Sequence, residues 1–535
     1  MNFDYLYQPY ASNRYCLFAA NGMVATGSAL ASQAGLEMLK KGGNAIDAAI
    51  ATAAALTVVE PTANGLGSDA FSIFYTNGKL HGMNASGYSP KNISLEAVKE
   101  KTPDGKMPKY GWPTVMVPGA VKGWVELSRN YGKLPLADVL APAIRYAENG
   151  YPLSPVLAHM WNRAITRYTE LFQDDQAYRE WFKTFTKDRK TVQPGDIVRL
   201  PNHAKTLRLI AETDGEAFYK GEIAEQFVRQ SERDGGYFCM EDLADYNVQW
   251  VDPIRVNYRG YEVCEIPPNG QGIAALMALN ILKEFQFNSR SEAYHHQIEA
   301  MKIAFADAQK YVTDPRYMQV DYHRFLDPAY GAQRAKDIHS YASVPEPLSL
   351  PKSGTVYLCT ADGEGNMVSF IQSNYAGFGS GVVLEGYGVS LQNRGSDFSL
   401  DKNDANCLAP QKKSYHTIIP GFLMKDGKPV GPFGVMGGYM QPQGHVQLMM
   451  NLIDFHLNPQ MGLDAPRWQW TEKNKVILEP SFPKADASAL ERKGHQISLS
   501  SSSFSFGRGE MILRLDNGVL VGATESRTDA NIACF

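Results

Sequence analysis

The spacing of apolar positions divides the chain into a helix-rich first part and a strand-rich last third. Before residue 340, apolar residues recur at helical intervals in segments that end at Gly or Pro. The predicted helices include 29–39, 45–59, 118–131, 136–150, 155–172, 201–213, 221–234 and 289–313. After residue 354, short β-branched runs predict strands at 355–361, 367–373, 388–392, 418–424, 432–435 and 511–522.

Neither part contains enough predicted strands or helices to form a covered sheet by itself. Earlier strands are predicted at 71–75, before an Asn-Gly hairpin, and at 256–266, and one late helix is predicted at 443–455. The polar stretch 174–195 is predicted to be exposed helix or loop. We therefore predict one layered α/β body in which helices cover stacked sheets.

Composition and charge exclude several classes of protein. The chain has 535 residues, of which 44% are hydrophobic and 20% charged, and its net charge of −4 offers no footprint for nucleic acid or an anionic membrane. There is no signal-peptide pattern at the start and no uncharged apolar run of membrane-spanning length. Six scattered cysteines without a Cys-x-x-Cys pair argue against a zinc site and fit a reducing compartment. We expect a cytoplasmic protein without metal or cofactor.

The junction Ser353-Gly354-Thr355 is the first candidate for chemistry. A Pro- and Ser-rich segment, 340–352, stops there and a β-branched core strand begins. If the chain were cut before Thr355, that residue would carry a free α-amine beside its hydroxyl, which is a known form of activated nucleophile. Gly-Thr pairs are common, so on pattern alone the signal is weak.

A second candidate is Gly437-Gly438, which follows a predicted strand. Two glycines allow the backbone to approach a substrate and to present two N–H groups to it, although a simple turn fits the pattern better. His295 and His296 are neighbours on a helix and face different ways, so packing is favoured over metal binding. The pair Lys412-Lys413 is predicted to be solvated. Phosphate-loop, nucleophile-elbow and His-Glu-x-x-His motifs are absent.

Taken together, these stretches resemble the γ-glutamyltranspeptidase family of N-terminal nucleophile hydrolases, in family order along essentially the whole chain. The motifs include Gly22-Met-Val-Ala-Thr26, Gly42-Gly-Asn-Ala-Ile-Asp-Ala-Ala49, Asn64-Gly-Leu-Gly67, Val117-Pro-Gly-Ala-Val-Lys-Gly-Trp124, Pro267-Pro-Asn-Gly-Gln-Gly272, Gly354-Thr355, Gln392-Asn-Arg394, Met436-Gly-Gly438 and Asp464-Ala-Pro-Arg467.

The resemblance implies a four-layer αββα sandwich and autocatalytic cleavage between Gly354 and Thr355. A helix-rich large subunit, 1–354, and a strand-rich small subunit, 355–535, would remain together as one domain, and further oligomerisation is left open. Thr355 would then be the nucleophile and its amine the base, with Ser373 steadying that amine and Gly437 and Gly438 holding the oxyanion. Water or an amino acid or peptide would accept the acyl group.

The substrate-binding positions implied by the resemblance differ from the family pattern. Asp397, for the α-amine, is retained. At other positions this chain differs from the family: it has Ser86 where the family has an arginine, Tyr375 where the family has an asparagine, and Arg394 where the family has Gln or Glu. His416 and Thr417 stand where the family has two serines. Val356 replaces the usual threonine after the nucleophile. Either Arg394 binds the substrate carboxylate from the other side of the pocket, or the pocket accepts another acyl group. The short segment 397–416 predicts an open site for bulky leaving groups.

Three hypotheses for function follow. The first is a hydrolase of γ-glutamyl amides such as glutathione, with hydrolysis favoured over transfer. The second is an acylase for other N-acyl substrates of the glutaryl or cephalosporin type. The third is an unprocessed, non-catalytic relative that acts as a binding protein.

Overall fold

The computed structural model describes residues 14–188, 190–344 and 354–535. Ser353 and most of the predicted linker therefore lie outside the described residues. The strands are β1 (Leu17–Ala19), β2 (Gly22–Thr26), β3 (Asp69–Thr76), β4 (Lys79–Ala85), β5 (Tyr151–Pro152), β6 (Ile197–Val198), β7 (Gln249–Val251), β8 (Ile254–Tyr258), β9 (Tyr261–Glu265), β10 (Gly354–Asp362), β11 (Met367–Tyr375), β12 (Gly421–Lys425), β13 (Lys428–Met436), β14 (Trp468–Glu472), β15 (Lys475–Leu478), β16 (Gln496–Leu499), β17 (Arg508–Arg514), β18 (Leu520–Thr524) and β19 (Asn531–Cys534).

The α-helices are α1 (Ala29–Lys40), α2 (Ala45–Val59), α3 (Leu95–Glu100), α4 (Ala120–Tyr131), α5 (Leu136–Asn149), α6 (Pro155–Phe172), α7 (Arg179–Phe185), α8 (Pro201–Glu212), α9 (Glu216–Tyr219), α10 (Glu222–Arg233), α11 (Met240–Ala244), α12 (Gly272–Leu282), α13 (Arg290–Tyr311), α14 (Pro328–Ala335), α15 (Met440–Ile453), α16 (Pro459–Asp464) and α17 (Lys484–Arg492). Short 3-10 turns lie at Trp112–Thr114, Gln176–Tyr178, Pro315–Tyr317, Tyr322–Phe325 and Arg394–Asp397. No described helix is both long and apolar enough to cross a membrane.

Two seven-stranded sheets form the centre of the molecule. Sheet A has the order β1-β18-β17-β13-β12-β9-β8, and sheet B has the order β19-β2-β10-β11-β3-β4-β7. Both sheets contain strands from before and after residue 354. In sheet B, β10 pairs with β2 on one side and β11 on the other, and β11 pairs with β3. The two parts of the chain therefore complete each other's sheets, as predicted from their separate compositions.

The side chains of β10 show how the layers stack. Val356 and Leu358 pack in the core between sheet B and the helices that cover it, whereas Tyr357 and Cys359 pack in the core between the two sheets. This alternation is the two-residue period of a strand that is covered on both faces. Helix α2 lies against β10 and β11, and on the far side α12 and α15 cover sheet A. The architecture is therefore the predicted four-layer αββα sandwich.

Helix α2 begins and ends at the predicted residues. The side chain of Asn44 accepts hydrogen bonds from the N–H groups of Ile46 and Asp47, and Asp47 bonds the N–H of Asn44 in return. This capping box satisfies N–H groups that would otherwise be left without partners at the start of a buried helix. The long helix predicted at 289–313 is present as α13, capped by Ser289.

Several sequence predictions were wrong. Residues 388–392 form only isolated bridges, because left-handed glycines at 386 and 388 interrupt the extended chain. The stretch 174–195 contains α7, in which Trp181 is fully buried. The helix α12 was not predicted, since it is apolar on every face and lacks a periodic signal. Lys412 and Lys413 are buried rather than solvated.

Candidate active site

A directed chain of hydrogen bonds surrounds the Gly354–Thr355 peptide. Thr355 Oγ1 donates to Ser373 Oγ at 3.2 Å, and Ser373 Oγ donates to the carbonyl oxygen of Gly354 at 2.7 Å. The N–H of Tyr375 donates to Ser373 Oγ at 2.8 Å and fixes its position. One serine hydroxyl thus connects the hydroxyl of Thr355 with the carbonyl that precedes it.

The strand pairing is irregular at this junction. Gly354 lies opposite Tyr375, but Val356 lies opposite Gln372, so the register shifts between them. Tyr375 has a φ of 75°, a left-handed conformation that is rare for a bulky side chain. Such distortions at a strand end re-aim side chains next to functional sites.

Gly437 and Gly438 connect β13 to α15 with φ values of 133° and 61°. No hydrogen bond from the described residues occupies either N–H group, so both remain able to donate. Gln441, in the first turn of α15, donates from Nε2 to Thr355 Oγ1 at 3.4 Å and accepts from the N–H of Ile419. The sequence prediction missed Gln441, although its position three residues after the glycine pair was a usable signal.

A cavity of about 930 Å³ lies beside the junction. Its lining includes Gly354, Ala376, Gly377, Met436 and Gly437. Residues of α6, of the loop before β17 and of the start of β17 also line it, including His159, Arg163, Arg167, Phe504 and Arg508. The side chain of Thr355 is fully buried and does not line the cavity. Before cleavage, Gly354 therefore borders the cavity and the Thr355 hydroxyl does not.

Four of the predicted substrate-binding residues form one buried cluster. The Arg394 guanidinium lies 4.1 Å from the centre of the Tyr375 ring, and its Nη1 donates to Thr417 Oγ1 at 2.7 Å. Asp397 accepts from the Tyr375 hydroxyl at 2.5 Å and lies 3.6 Å from Arg394 Nη1. Burial raises the pKa of Asp397 to about 6, while Arg394 opposes that shift.

His416 belongs to a neighbouring buried pair. Its Nε2 lies 3.0 Å from Asp69 Oδ2, and its ring packs on Phe71. Burial, together with the positive charges of Arg394 and Lys413, keeps the pKa of His416 well below its usual range. Burial also raises the pKa of Asp69 to about 7. The imidazole is therefore neutral at physiological pH.

Ser86 occupies the place where the family resemblance implies an arginine, and the amino group of a lysine lies beside it. Lys413 Nζ donates to Ser86 Oγ and to Asn84 Oδ1, each at 3.2 Å. Burial lowers the pKa of Lys413 to about 7. The segment around Ser86 and the ring of Tyr88, 4.9 Å away, cover this lysine, which is why a local charge pattern could not reveal it.

Among the described residues, one group of three potential metal ligands lies close together: His295, Glu299 and His495. The Glu299 carboxylate already bonds the ammonium of Lys302 at 2.7 Å, and His295 Nδ1 bonds His495 Nε2 at 2.9 Å. Because Lys302 already pairs with the Glu299 carboxylate, we interpret these three residues as a buried polar network and not as a metal site. They are distant in sequence from the Gly354–Thr355 junction.

The αββα sandwich, with the Gly354–Thr355 junction at the start of the inner strand β10, is the architecture of the class of N-terminal nucleophile hydrolases. The family model described as gamma-glutamyltranspeptidase matches residues 31–535. The chain belongs to the γ-glutamyltranspeptidase family.

Similar proteins include both hydrolases and acylases. The crystal structure of cephalosporin acylase from Bacillus halodurans superposes with a TM-score of 0.97 at 55% identity, covering 100% of this chain and 99% of that one. The glutathione hydrolase-like YwrD proenzyme of Bacillus subtilis (strain 168) is 36% identical over 520 residues, covering 95% of this chain and 97% of its own. The oxamate amidohydrolase proenzyme of Klebsiella pneumoniae is 33% identical over 533 residues, covering 97% and 99%. The family is therefore one of amide hydrolases and transferases made as precursors that are cleaved into two subunits.

Proposed function

We propose that this chain is a self-processing amidohydrolase in which Thr355 first cuts the bond before it and then cleaves substrate amides. The hydrogen-bond chain from Thr355 Oγ1 through Ser373 to the Gly354 carbonyl carries the proposal. Oγ1 attacks that carbonyl carbon, the bond to the Thr355 nitrogen breaks, and the nitrogen takes the hydroxyl proton. Water then hydrolyses the resulting ester and leaves a Gly354 carboxylate and a free Thr355 amine.

In the processed enzyme, Thr355 would be both the nucleophile and the general base. Its α-amine accepts the hydroxyl proton as the oxygen attacks the substrate amide, and α-amines of this kind have a pKa of about 7.7–8.0. The N–H groups of Gly437 and Gly438 receive the oxyanion, and one such donor contributes about 2.7–4 kcal/mol. The amine of the substrate amide leaves with that proton, and the acyl group stays on Thr355 as an ester. Water, an amino acid or a peptide then attacks the ester and releases the acyl group from Thr355.

A denaturing gel with N-terminal sequencing tests this directly. The native chain is expected to give two fragments, the smaller beginning at Thr355, while Thr355→Ala remains full length and Thr355→Ser, which keeps a hydroxyl, is still cut. A native chain that stays whole after long incubation would refute the proposal and favour the non-catalytic relative.

For the substrate, γ-glutamyl amides such as glutathione are the first candidates, supported by the relative whose name is glutathione hydrolase-like. Acyl groups of the glutaryl or cephalosporin type are the second. Ser86 in place of an arginine favours them, as does the neighbour named cephalosporin acylase. Turnover of γ-glutamyl and glutaryl anilides by the processed enzyme separates the two, since a clear preference for either compound selects its class.

The unpaired state of the six cysteines supports our further proposal of a reducing, cytoplasmic location. Fractionation of the source cells, with detection of the processed small subunit, tests it.

A further inference from the structure

The cavity beside the Gly354–Thr355 junction has a positively charged lining. Among the described residues, the charged side chains that line it are three arginines and one carboxylate: Arg163, Arg167, Arg508 and Glu170. The positions that the family resemblance assigns to the acyl group, Arg394 and Asp397 among them, do not line it. A substrate amide at the junction would therefore place its acyl group outside this cavity and its amine inside.

Arg508 is the charged group that the fold fixes most firmly in this lining. Its side chain is only 9% exposed, and its Nη1 donates to Glu60 Oε1 at 3.0 Å. Glu60 is itself buried, so the pair holds the guanidinium in one place in the wall. Arg163 and Arg167 stand on the exposed part of α6 and add positive charge without such a buried partner.

The register of sheet A fixes Arg508 relative to the predicted oxyanion glycines. Arg508 of β17 lies opposite Met436 of β13, and Met436 immediately precedes Gly437. The two segments are closely packed, because a Cβ at Gly507 would lie 2.7 Å from the Met436 carbonyl oxygen. The guanidinium therefore starts from a strand that directly adjoins the predicted site of bond cleavage.

Aromatic rings line the same cavity. His159 of α6 stacks on Phe504, with ring centres 5.2 Å apart and planes inclined by 24°. Both residues line the cavity, as does Tyr110. Such rings offer flat, largely apolar surfaces on which a planar group can pack. The cavity volume of about 930 Å³ is ample for a ring with substituents.

We propose that this cavity binds the amine part of the substrate and that Arg508 binds a carboxylate on that amine, so that the preferred amines carry both a planar ring and a carboxylate. A guanidinium offers parallel N–H donors that match the two oxygens of a carboxylate. An accepting amine attacks the acyl ester by the reverse of the path by which an amine leaves, so one site selects both. The inference rests on the proposed function, because it assigns the amine that Thr355 would release.

Calorimetric titration of the processed enzyme with para-aminobenzoate and para-aminobenzamide tests the proposal. The two compounds share the ring and the amine, and only the first has a carboxylate. We expect para-aminobenzoate to bind at least about tenfold more tightly, which corresponds to about 1.4 kcal/mol.

Two variants separate the fork of Arg508 from its charge. Arg508→Lys keeps a charge beside Glu60 and loses the fork, so it should retain part of the preference. Removing the charge alone would leave the Glu60 carboxylate buried and unpaired, so the neutral variant is Glu60→Gln with Arg508→Gln. It should bind both compounds as weakly as the native enzyme binds para-aminobenzamide. Arg229→Gln, at an exposed position of α10, is the matched control and should bind like the native enzyme.

Three results would overturn the inference. One is equal binding of the two compounds by the native enzyme. The second is an undiminished preference in Arg508→Lys and in the neutral variant. The third is an equal loss of affinity for both compounds in Arg508→Lys with normal thermal unfolding, which would indicate a purely structural role.

The titration requires no turnover, so its failure can be told apart from failure of the proposed function. Sequencing for a free Thr355 amine precedes each titration. A chain without that amine counts against the proposed function. A processed chain without a preference for para-aminobenzoate counts only against the role of Arg508.

Discussion

Ser373 is the residue at which processing and catalysis are expected to meet. It accepts from the Thr355 hydroxyl and from the N–H of Tyr375, and it donates to the Gly354 carbonyl. The donation withdraws electrons from the carbonyl that is to be attacked, while the acceptance orients the attacking oxygen. Two of the three hydrogen bonds of this hydroxyl therefore join the groups on either side of one peptide bond, and the third, from Tyr375, fixes its position.

We predict that Ser373→Ala slows self-cleavage roughly five- to hundredfold, because losing a buried hydrogen-bond partner costs about 1–3 kcal/mol. Densitometry of precursor and fragments over time measures the rate. Ser373→Thr restores the hydroxyl and should recover most of the rate. Cleavage of Ser373→Ala at the native rate would exclude this role.

Asp69 makes stability depend on pH. Burial raises its pKa from an ordinary value of 3.8 to about 7. Between about pH 4 and 7 the unfolded chain therefore binds fewer protons at this site than the folded chain, and the free energy of unfolding falls as pH rises, by at most about 1.4 kcal/mol per pH unit. Above about pH 7 both states are ionised and the effect is constant.

Asp69→Asn removes this titration while keeping an acceptor for the N–H of Gly87, which bonds Asp69 at 3.1 Å. We predict that the native stability, relative to the variant, declines as pH rises from about 4 to 7. Urea unfolding of both proteins at several pH values in that window measures the difference. Parallel profiles would show that Asp69 does not hold its proton in the folded state.

At the scale of elements, close packing of β10 on β13 sets the distance between Thr355 and the glycine pair. Gly434 of β13 lies against the ring of Tyr357, two residues after Thr355, and a Cβ at position 434 would overlap that ring. The Tyr357 hydroxyl bonds Ser369 of β11 at 2.8 Å, which holds the ring in place. Sheets A and B therefore approach closely just below the junction.

Gly434→Ala is predicted to destabilise the protein by about 1–3 kcal/mol, the usual cost of overpacking, and to slow processing by separating β10 from β13. Thermal unfolding and the processing gel measure the two effects. The control is Gly462→Ala in α16, where the added carbon meets only the flexible ends of Leu448 and Leu452 and should cost little. If both variants unfold like the native protein, the contact between Gly434 and Tyr357 does not limit stability.

At the scale of the whole molecule, the cut would fall inside a sheet rather than between domains. β10 and β11 follow the junction, yet their outer neighbours, β2 and β3, precede it. Both central cores also contain residues from each side of position 354. Cleavage would therefore create a new terminus and detach only Gly354 from β10, while the pairing of residues 356–362 with β2 and β11 remains.

We predict that fragments 1–354 and 355–535 stay together through purification, and that 355–535 expressed alone does not fold. Alone, β10 would expose the edge that pairs with β2 and the apolar face that packs on α2. Circular dichroism and size-exclusion chromatography of the lone fragment test this, with co-expression of both fragments as the control. A cooperative unfolding transition in the lone fragment would contradict it.

Much of the local structure was predictable from the sequence because its causes are local. Asn44 caps α2 through its own first turn, and the turn between β10 and β11 falls at its Asp-Gly signal. Arg394, Asp397, Tyr375 and Thr417, which the resemblance names as substrate-binding positions, lie together in the structure, and their role stays a prediction. Gln441 was missed although it stands three residues after the glycine pair, and the burial of Lys413 was missed because its partners Asn84 and Ser86 lie far away in the chain.

Most of the long helices, the hairpin after β10, the family motifs and the position of Gly354-Thr355 could be read from the chain alone, since each depends on neighbouring residues. Packing of distant segments was needed to show that Ser373 bridges the two sides of that bond, that Lys413 is buried beside Ser86, and that Nε and Nη2 of Arg394 have no partner among the described residues. The physical reason is that hydrogen bonding, desolvation and charge depend on which distant segments pack together, and no local pattern encodes those contacts.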